Sequence, residues 1–198
     1  EKTIVVAVAA IVVIVGGWFL YNNVYVQGQS QKAGADMFAA EQMFAAEQWD
    51  VALNGDGTTV GFLEVINNYG VTAEANLANY YAGICYLRLG DLENAAKYLA
   101  KFDAPCRASL PEQIIIAQNL GLQGDVAVEL GNYAEAAALF AKAVKASENS
   151  YTAPYYLVKE ARALAAAGEL EKAQECYKTI VANYPNSSES REAEKQLR

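Results

Sequence analysis

The sequence predicts an all-α protein, with one N-terminal membrane-spanning helix followed by a solenoid of helix pairs. Two observations carry this reading: a long apolar run near the N-terminus, and three downstream segments that superpose without gaps. The 198 residues leave enough chain for one domain of ordinary size once the apolar run is set aside.

Ile4 to Leu20 reads IVVAVAAIVVIVGGWFL, seventeen residues without a charge. As a helix at about 1.5 Å per residue, this run reaches roughly the hydrocarbon thickness of a bilayer. Residues 1–26 are therefore read as anchor and interface, with Ile4, Val8, Ile11, Val15, Trp18 and Leu20 as anchor residues. A buried core helix of that length would show polar interruptions. A secretory signal peptide is the nearer rival. Its apolar core is shorter, about 7 to 15 residues, and a small-x-small cleavage site follows closely. Here the run ends in Trp18, Phe19, Leu20 and Tyr21, with Tyr25 beyond, in the manner of an aromatic belt. No cysteine near its end offers lipoprotein-style processing.

Orientation follows from the basic residues. Between Asn22 and Leu87 only Lys32 is basic, against Asp36, Glu41, Glu47, Asp50, Asp56, Glu64 and Glu74. Positive charge is retained on the cytoplasmic side, so this flank belongs on the translocated side and the N-terminus inside. The N-terminal flank offers only Lys2 after Glu1, and a longer cytoplasmic leader is expected ahead of it.

Residues 27–72 read as a degenerate unit that caps the solenoid on the membrane side, the anchor being joined to the repeats by a linker. Gln29 to Asn54 is one long helical stretch containing MFAAEQ twice, Met37 to Gln42 and Met43 to Gln48. A six-residue period does not keep one helix face aligned, so this is a local duplication and not a packing seam. Asn54-Gly55-Asp56-Gly57 is a turn, and Gly61 to Asn68 a short helix.

Residues 73–186 hold three copies of one pattern: Gly83, Tyr86, Gly90, Leu92, Ala95, Leu99; then Gly124, Ala127, Gly131, Tyr133, Ala136, Phe140; then Ala161, Leu164, Gly168, Leu170, Ala173, Tyr177. The shifts are 41 and 37 residues. Each copy is a helix, a turn with glycine in the left-handed conformation, and a second helix brought close by a small residue. An insert near 103–112, bounded by Pro105 and Pro111, reads as a loop, and a smaller one surrounds Ser147 to Ala153. Residues 187–198 are a polar capping helix with Ala193 and Leu197 facing inward.

The pattern resembles the tetratricopeptide repeat, a helix-turn-helix unit of about 34 residues with small, aromatic, Ala, aromatic and Pro signals in that order. The third copy supplies the last of these as Tyr184-Pro185. None of the three copies has the tryptophan of the family's first helix. The expected fold is thus a single transmembrane helix followed by a tetratricopeptide-type helical solenoid.

Chemistry is nearly absent. With no histidine there is no Ser-His-Asp triad, His-Cys pair, HExxH site or imidazole base. Fifteen Lys and Arg against 23 Asp and Glu, a net charge of -8, give no electrostatic footprint for nucleic acid. Cys85, Cys106 and Cys176 lack a CxxC spacing. Cys85 and Cys176 sit at apolar helix positions, where cysteine is a small hydrophobe, and Cys106 in the insert is the candidate for exposure. The NGDG turn lacks the remaining ligands of a calcium loop. No cofactor, metal or catalytic residue is expected.

A solenoid offers a surface instead. The first helix of each pair lines the concave side, where a peptide or partner helix lies. Spacing from the repeat glycines places Tyr80, Ile84, Leu87, Arg88, Gln118, Asp125, Glu129, Tyr155, Val158 and Arg162 there. The set lacks the Lys and Asn cluster with which cytosolic co-chaperones of this repeat family clamp a C-terminal carboxylate.

The anchor KTIVVAVAAIVVIVGGWFLYNN followed by NLANYYAGICYLRLGDLENAAKYL resembles the YfgM-like inner-membrane proteins, in particular their Bacteroidota versions. That resemblance implies an ancillary subunit of the SecYEG-type translocon, acting with a PpiD-like periplasmic chaperone on translocating polypeptides. It implies a bacterial inner-membrane, single-pass location with the repeats in the periplasm. The alternative is a structural scaffold subunit of another envelope assembly or secretion complex. An enzyme working through carboxylates or Cys106 is the third class, and the expectation is that the chain is not one.

Overall fold

A computed structural model describes residues 2–104 and 109–198, with side chains from Ala10 onward. The side chains of Ile4 and Val8, and Cys106 in the insert, lie outside the described residues. Among the described residues every regular element is a helix. The chain forms two compact units, Glu1–Ala82 and Gly83–Arg198.

In the first unit, α1 (Lys2–Leu20) passes through a π-helical segment, Tyr21–Val26, into α2 (Gln27–Ala45). Leu20, Val26 and Gln27 all keep right-handed helical dihedrals, so the expected linker is absent and one helix runs from the apolar segment to Ala45. Nothing between Leu20 and Gln27 is a glycine or proline, and the wide turn is held locally. Tyr21 and Tyr25 stack at 5.4 Å, and Asn23 Nδ2 donates to the Phe19 carbonyl at 3.0 Å. Ile11, Val15, Trp18 and Leu20 are exposed, and the helix is long and apolar enough to cross a membrane.

The long helical stretch expected over Gln29 to Asn54 is broken. α2 stops at Ala45 and α3 (Trp49–Asn54) begins after a turn at Glu47, whose φ is 58°. The Glu47 N–H donates to the Phe44 carbonyl at 3.0 Å and the Gln48 N–H to the Met43 carbonyl at 2.9 Å, the paired bonds of a Schellman motif. The first MFAAEQ is wholly helical and the second is cut. Tertiary packing makes the difference: Phe44 in the second copy meets Trp49 edge-on at 5.0 Å and Tyr81 at 5.0 Å, while its counterpart Phe38 is exposed. Phe62, at the start of α4 (Phe62–Asn68), stacks on Tyr81 at 5.1 Å and completes the cluster. Tyr69 Oη donates to Asp36 Oδ2 at 2.7 Å and ties the end of α4 to α2.

The 54–57 segment is a turn. Asp56 Oδ1 accepts from Thr58 Oγ1 at 2.8 Å, Thr58 N at 2.9 Å and Thr59 N at 2.7 Å, between Gly55 and Gly57, both at positive φ. These bonds favour the carboxylate, those from Thr58 Oγ1 and the Thr59 amide most, and hold Asp56 down at about 2. The side chain is committed to its own loop.

Helix α5 (Ala73–Leu89) starts in the first unit and ends in the second. The second unit continues with α6 (Leu92–Leu99), α7 (Leu110–Glu129), α8 (Tyr133–Ala146), α9 (Thr152–Ala166), α10 (Leu170–Asn183) and α11 (Ser190–Gln196). Three hairpins close alike, with Gly90, Gly131 and Gly168 at φ 83°, 77° and 84°. The following residue returns a hydrogen bond each time: Asp91 to Tyr86, Asn132 to Ala127 and Glu169 to Leu164, at 2.9, 2.8 and 2.8 Å. The small first-helix positions are contact points. A Cβ on Gly83 would lie 2.6 Å from Leu99 Cγ, and one on Gly124 would lie 2.6 Å from the Phe140 ring. Leu99 and Phe140 are fully buried, with Ile180 and Val126 beside them in burial.

Two sequence expectations shift at element ends. The insert near 103–112 ends earlier than proline spacing indicated: α7 starts at Leu110 and Pro111 lies in its first turn, where its missing N–H costs nothing. Glu112 accepts from the Ser109 N–H at 2.6 Å, a capping box that Ser109-x-x-Glu112 spells out. In α11 Ala193 is buried, but Leu197 falls one residue past the helix and stays partly exposed.

Candidate protein-binding surface

The first helices of the hairpins in the second unit present one face each, and α7 and α9 lie side by side. The Tyr156 ring of α9 fills the space over Gly121 of α7, where a Cβ would come within 2.4 Å. One turn on, Lys159 Nζ reaches both oxygens of Asp125, at 2.7 and 2.8 Å. Lys159 also lies 4.8 Å from the Tyr155 ring centre and 5.6 Å from that of Phe140. Burial works against its ammonium, but the bonds to Asp125 and Tyr155 and the Asp125 charge outweigh it and raise the Lys159 pKa. Further along α9, Arg162 donates from Nε and Nη2 to Glu192 Oε1 of α11 at 3.2 and 2.6 Å.

The predicted face is therefore partly spent. Asp125 and Arg162 are ion-paired within the chain, the first to α9 and the second to the cap. Tyr80 and Val158 are corrections: at 9% and 5% exposure they are core, because their positions on α5 and α9 turn toward the neighbouring helices. Ile84 and Leu87 are half-buried, and Arg88, Gln118, Glu129 and Tyr155 are exposed. Ile114 and Tyr151, which spacing from the glycines did not single out, are also exposed. Both lie four residues before predicted members, Gln118 and Tyr155, and the 37-residue shift superposes the two pairs.

The remaining chemistry is quiet. Cys85 and Cys176 are buried free thiols, and burial pushes both up to about 12, with Glu160 adding to the effect at Cys176. Neither supplies a thiolate at neutral pH. Among the described residues no group of three or more His, Cys, Asp and Glu is placed to hold a metal ion.

A family model described as tetratricopeptide repeat matches residues 127–197, and a second with the same description matches residues 64–108. The chain carries tetratricopeptide repeats. No curated protein matches it. The matched spans run from within α4 through α6 and from the end of α7 through α11. The α2–α3 hairpin lies outside them, yet it repeats the tetratricopeptide spacing with Ala40, Glu47 and Ala52 in the places of Gly83, Gly90 and Ala95. Ala40, Ala52 and Ala95 are all fully buried, and all four turns share the Schellman hydrogen bonds. Glutamate in the glycine's place hides this hairpin from sequence reading. Tetratricopeptide repeats are in general scaffolds that bind proteins.

Proposed function

We propose that this chain is a non-enzymatic, membrane-tethered protein-binding module, an ancillary subunit of the SecYEG-type translocon that assists handover of secreted polypeptides with a PpiD-like chaperone. In this reading the chain sits in a bacterial inner membrane, N-terminus cytoplasmic, with its repeats on the periplasmic side. The supporting observation is the unbroken helix from Lys2 to Ala45, which makes the anchor and the first helix of the α2–α3 hairpin one element. The 19 residues of α2 reach about 28 Å beyond the interface, so the tether stands up from the membrane instead of trailing from it. Such a tether confines the module to a thin layer and raises its effective concentration for a chain leaving a channel in the same membrane. The Lys- and Arg-poor stretch after the span supports the translocated side.

The test is purification from native membranes in mild detergent at low salt, followed by mass spectrometry. Recovery of translocon subunits and a periplasmic chaperone is the expected result. Enrichment of outer-membrane assembly or secretion components without translocon would replace this reading with that of a structural scaffold.

A further inference from the structure

Building on the protein-binding reading, we infer that the α7–α9 face takes an extended polypeptide through uncharged, apolar side chains and not through a charged tail. What the face has left to offer sets the occupant. Its central charges are matched in pairs, Asp125 with Lys159 and Arg162 with Glu192. These charges are already partly neutralised within the chain, so they offer a charged segment less than unpaired groups would. Glu129 lies eleven residues beyond Gln118, about 16 Å along the helix.

Toward the N-terminal ends of the same helices the surface carries three exposed apolar or aromatic side chains. Ile114 is 42% exposed, Tyr155 45% and Tyr151 88%. Gln118 and Ile114 precede Asp125 by seven and eleven residues and Tyr155 precedes Lys159 by four, so these three stand on the helix faces that carry the ion pair, and Tyr151 is the N-cap of α9 just ahead of them. An exposed tyrosine offers a large contact area for little lost freedom, as recognition surfaces require. Tyr151 also borders a cavity of about 370 Å³ in which Tyr184 and Pro185 stand among Ser150, Asn183, Asn186, Ser187 and Ser188. Glu189, the charged residue of that lining, accepts a hydrogen bond from Ser188 Oγ at 2.8 Å. A segment crossing Ile114 and Tyr155 reaches this socket at Tyr151 and can seat one side chain in it. An apolar segment gains by covering these residues and disturbs no ion pair.

The experiment uses the full chain in nanodiscs and three fluorescein-labelled peptides of about twelve residues, rich in Leu, Val and Ser, in Glu, or in Lys. The Leu/Val/Ser peptide is expected to bind, with an affinity that changes less than about twofold between about 50 and about 500 mM NaCl. The Ile114→Ser/Tyr151→Ser double substitution should weaken it about tenfold. Phe38→Ser, which removes an exposed aromatic from the first unit, should leave it unchanged. Both altered faces are solvent-exposed, and circular dichroism checks that the helices persist. Preference for a charged peptide with steep salt dependence overturns the inference, as does failure of all three to bind or indifference to the double substitution. Self-association abolished by that substitution overturns it in favour of a second copy. Translocon co-purification is read separately, so it stands or falls without this result.

Discussion

Glu47 sits where three other hairpins have glycine, and exchanging the residue types measures what that place demands. In the left-handed region an L side chain costs about 1–2 kcal/mol, because its Cβ crowds the following carbonyl. Glycine removes that cost but gives back about 0.5–1 kcal/mol through its greater freedom in the unfolded chain. Glu47→Gly is therefore expected to stabilise the α2–α3 hairpin by about 0.5–1 kcal/mol, and Gly131→Glu to destabilise α7–α8 by a similar amount. The reverse exchange is clean because a Cβ on Gly131 meets nothing within 4 Å, so conformation and not collision is tested. Amide hydrogen exchange read by mass spectrometry reports each hairpin separately. Amides of residues 43–52 should exchange about threefold more slowly in Glu47→Gly, and those of 128–136 about threefold faster in Gly131→Glu. Unchanged or faster exchange in Glu47→Gly would refute the argument that the tertiary cluster holds Glu47 in a costly conformation.

Gly124→Ala should lower stability by about 1 kcal/mol in urea unfolding followed by circular dichroism. Overpacking against the buried Phe140 costs about 1–3 kcal/mol, and better helix propensity returns about 1. Asp56 is depressed from 3.8 to about 2, and Asp91 and Glu112 are also lowered by hydrogen bonds from Asn94 and Ser109. Depressed carboxylates stabilise above their unfolded values and lose that effect as pH falls through the folded ones. Thr58 and Thr59 amide resonances should accordingly titrate with a midpoint of about 2, and a midpoint of 3.8 would mean the loop bonds are not kept in solution. In a Cys106→Ser background, Cys85 and Cys176 should resist maleimide at neutral pH until the chain is unfolded, and prompt labelling of either would contradict its burial.

Much of this was legible because it rests on local chemistry. The apolar run from Ile4 to Leu20 is long and apolar enough to cross a membrane, and Gly90, Gly131 and Gly168 mark turns whose dihedrals other residues adopt only at a cost. The Ser109–Glu112 box was also legible, and spacing between prolines concealed it. The candidate surface was half legible. Period and register put Asp125, Tyr155 and Arg162 on their helices, but whether a charge is offered or consumed depends on Lys159 and Glu192, which lie 34 and 30 residues away.

What the sequence determined by itself is the helical class, the long apolar run and the repeat hairpins. Tertiary structure alone decided that the apolar helix continues unbroken into α2, that one MFAAEQ is whole and its twin cut, and which of the predicted residues are core. The physical reason is common to these cases. A helix accepts most residues along its length, so where it stops, which way it faces and which charges it neutralises are set by what packs against it, as Phe44, Trp49, Phe62 and Tyr81 show at Glu47.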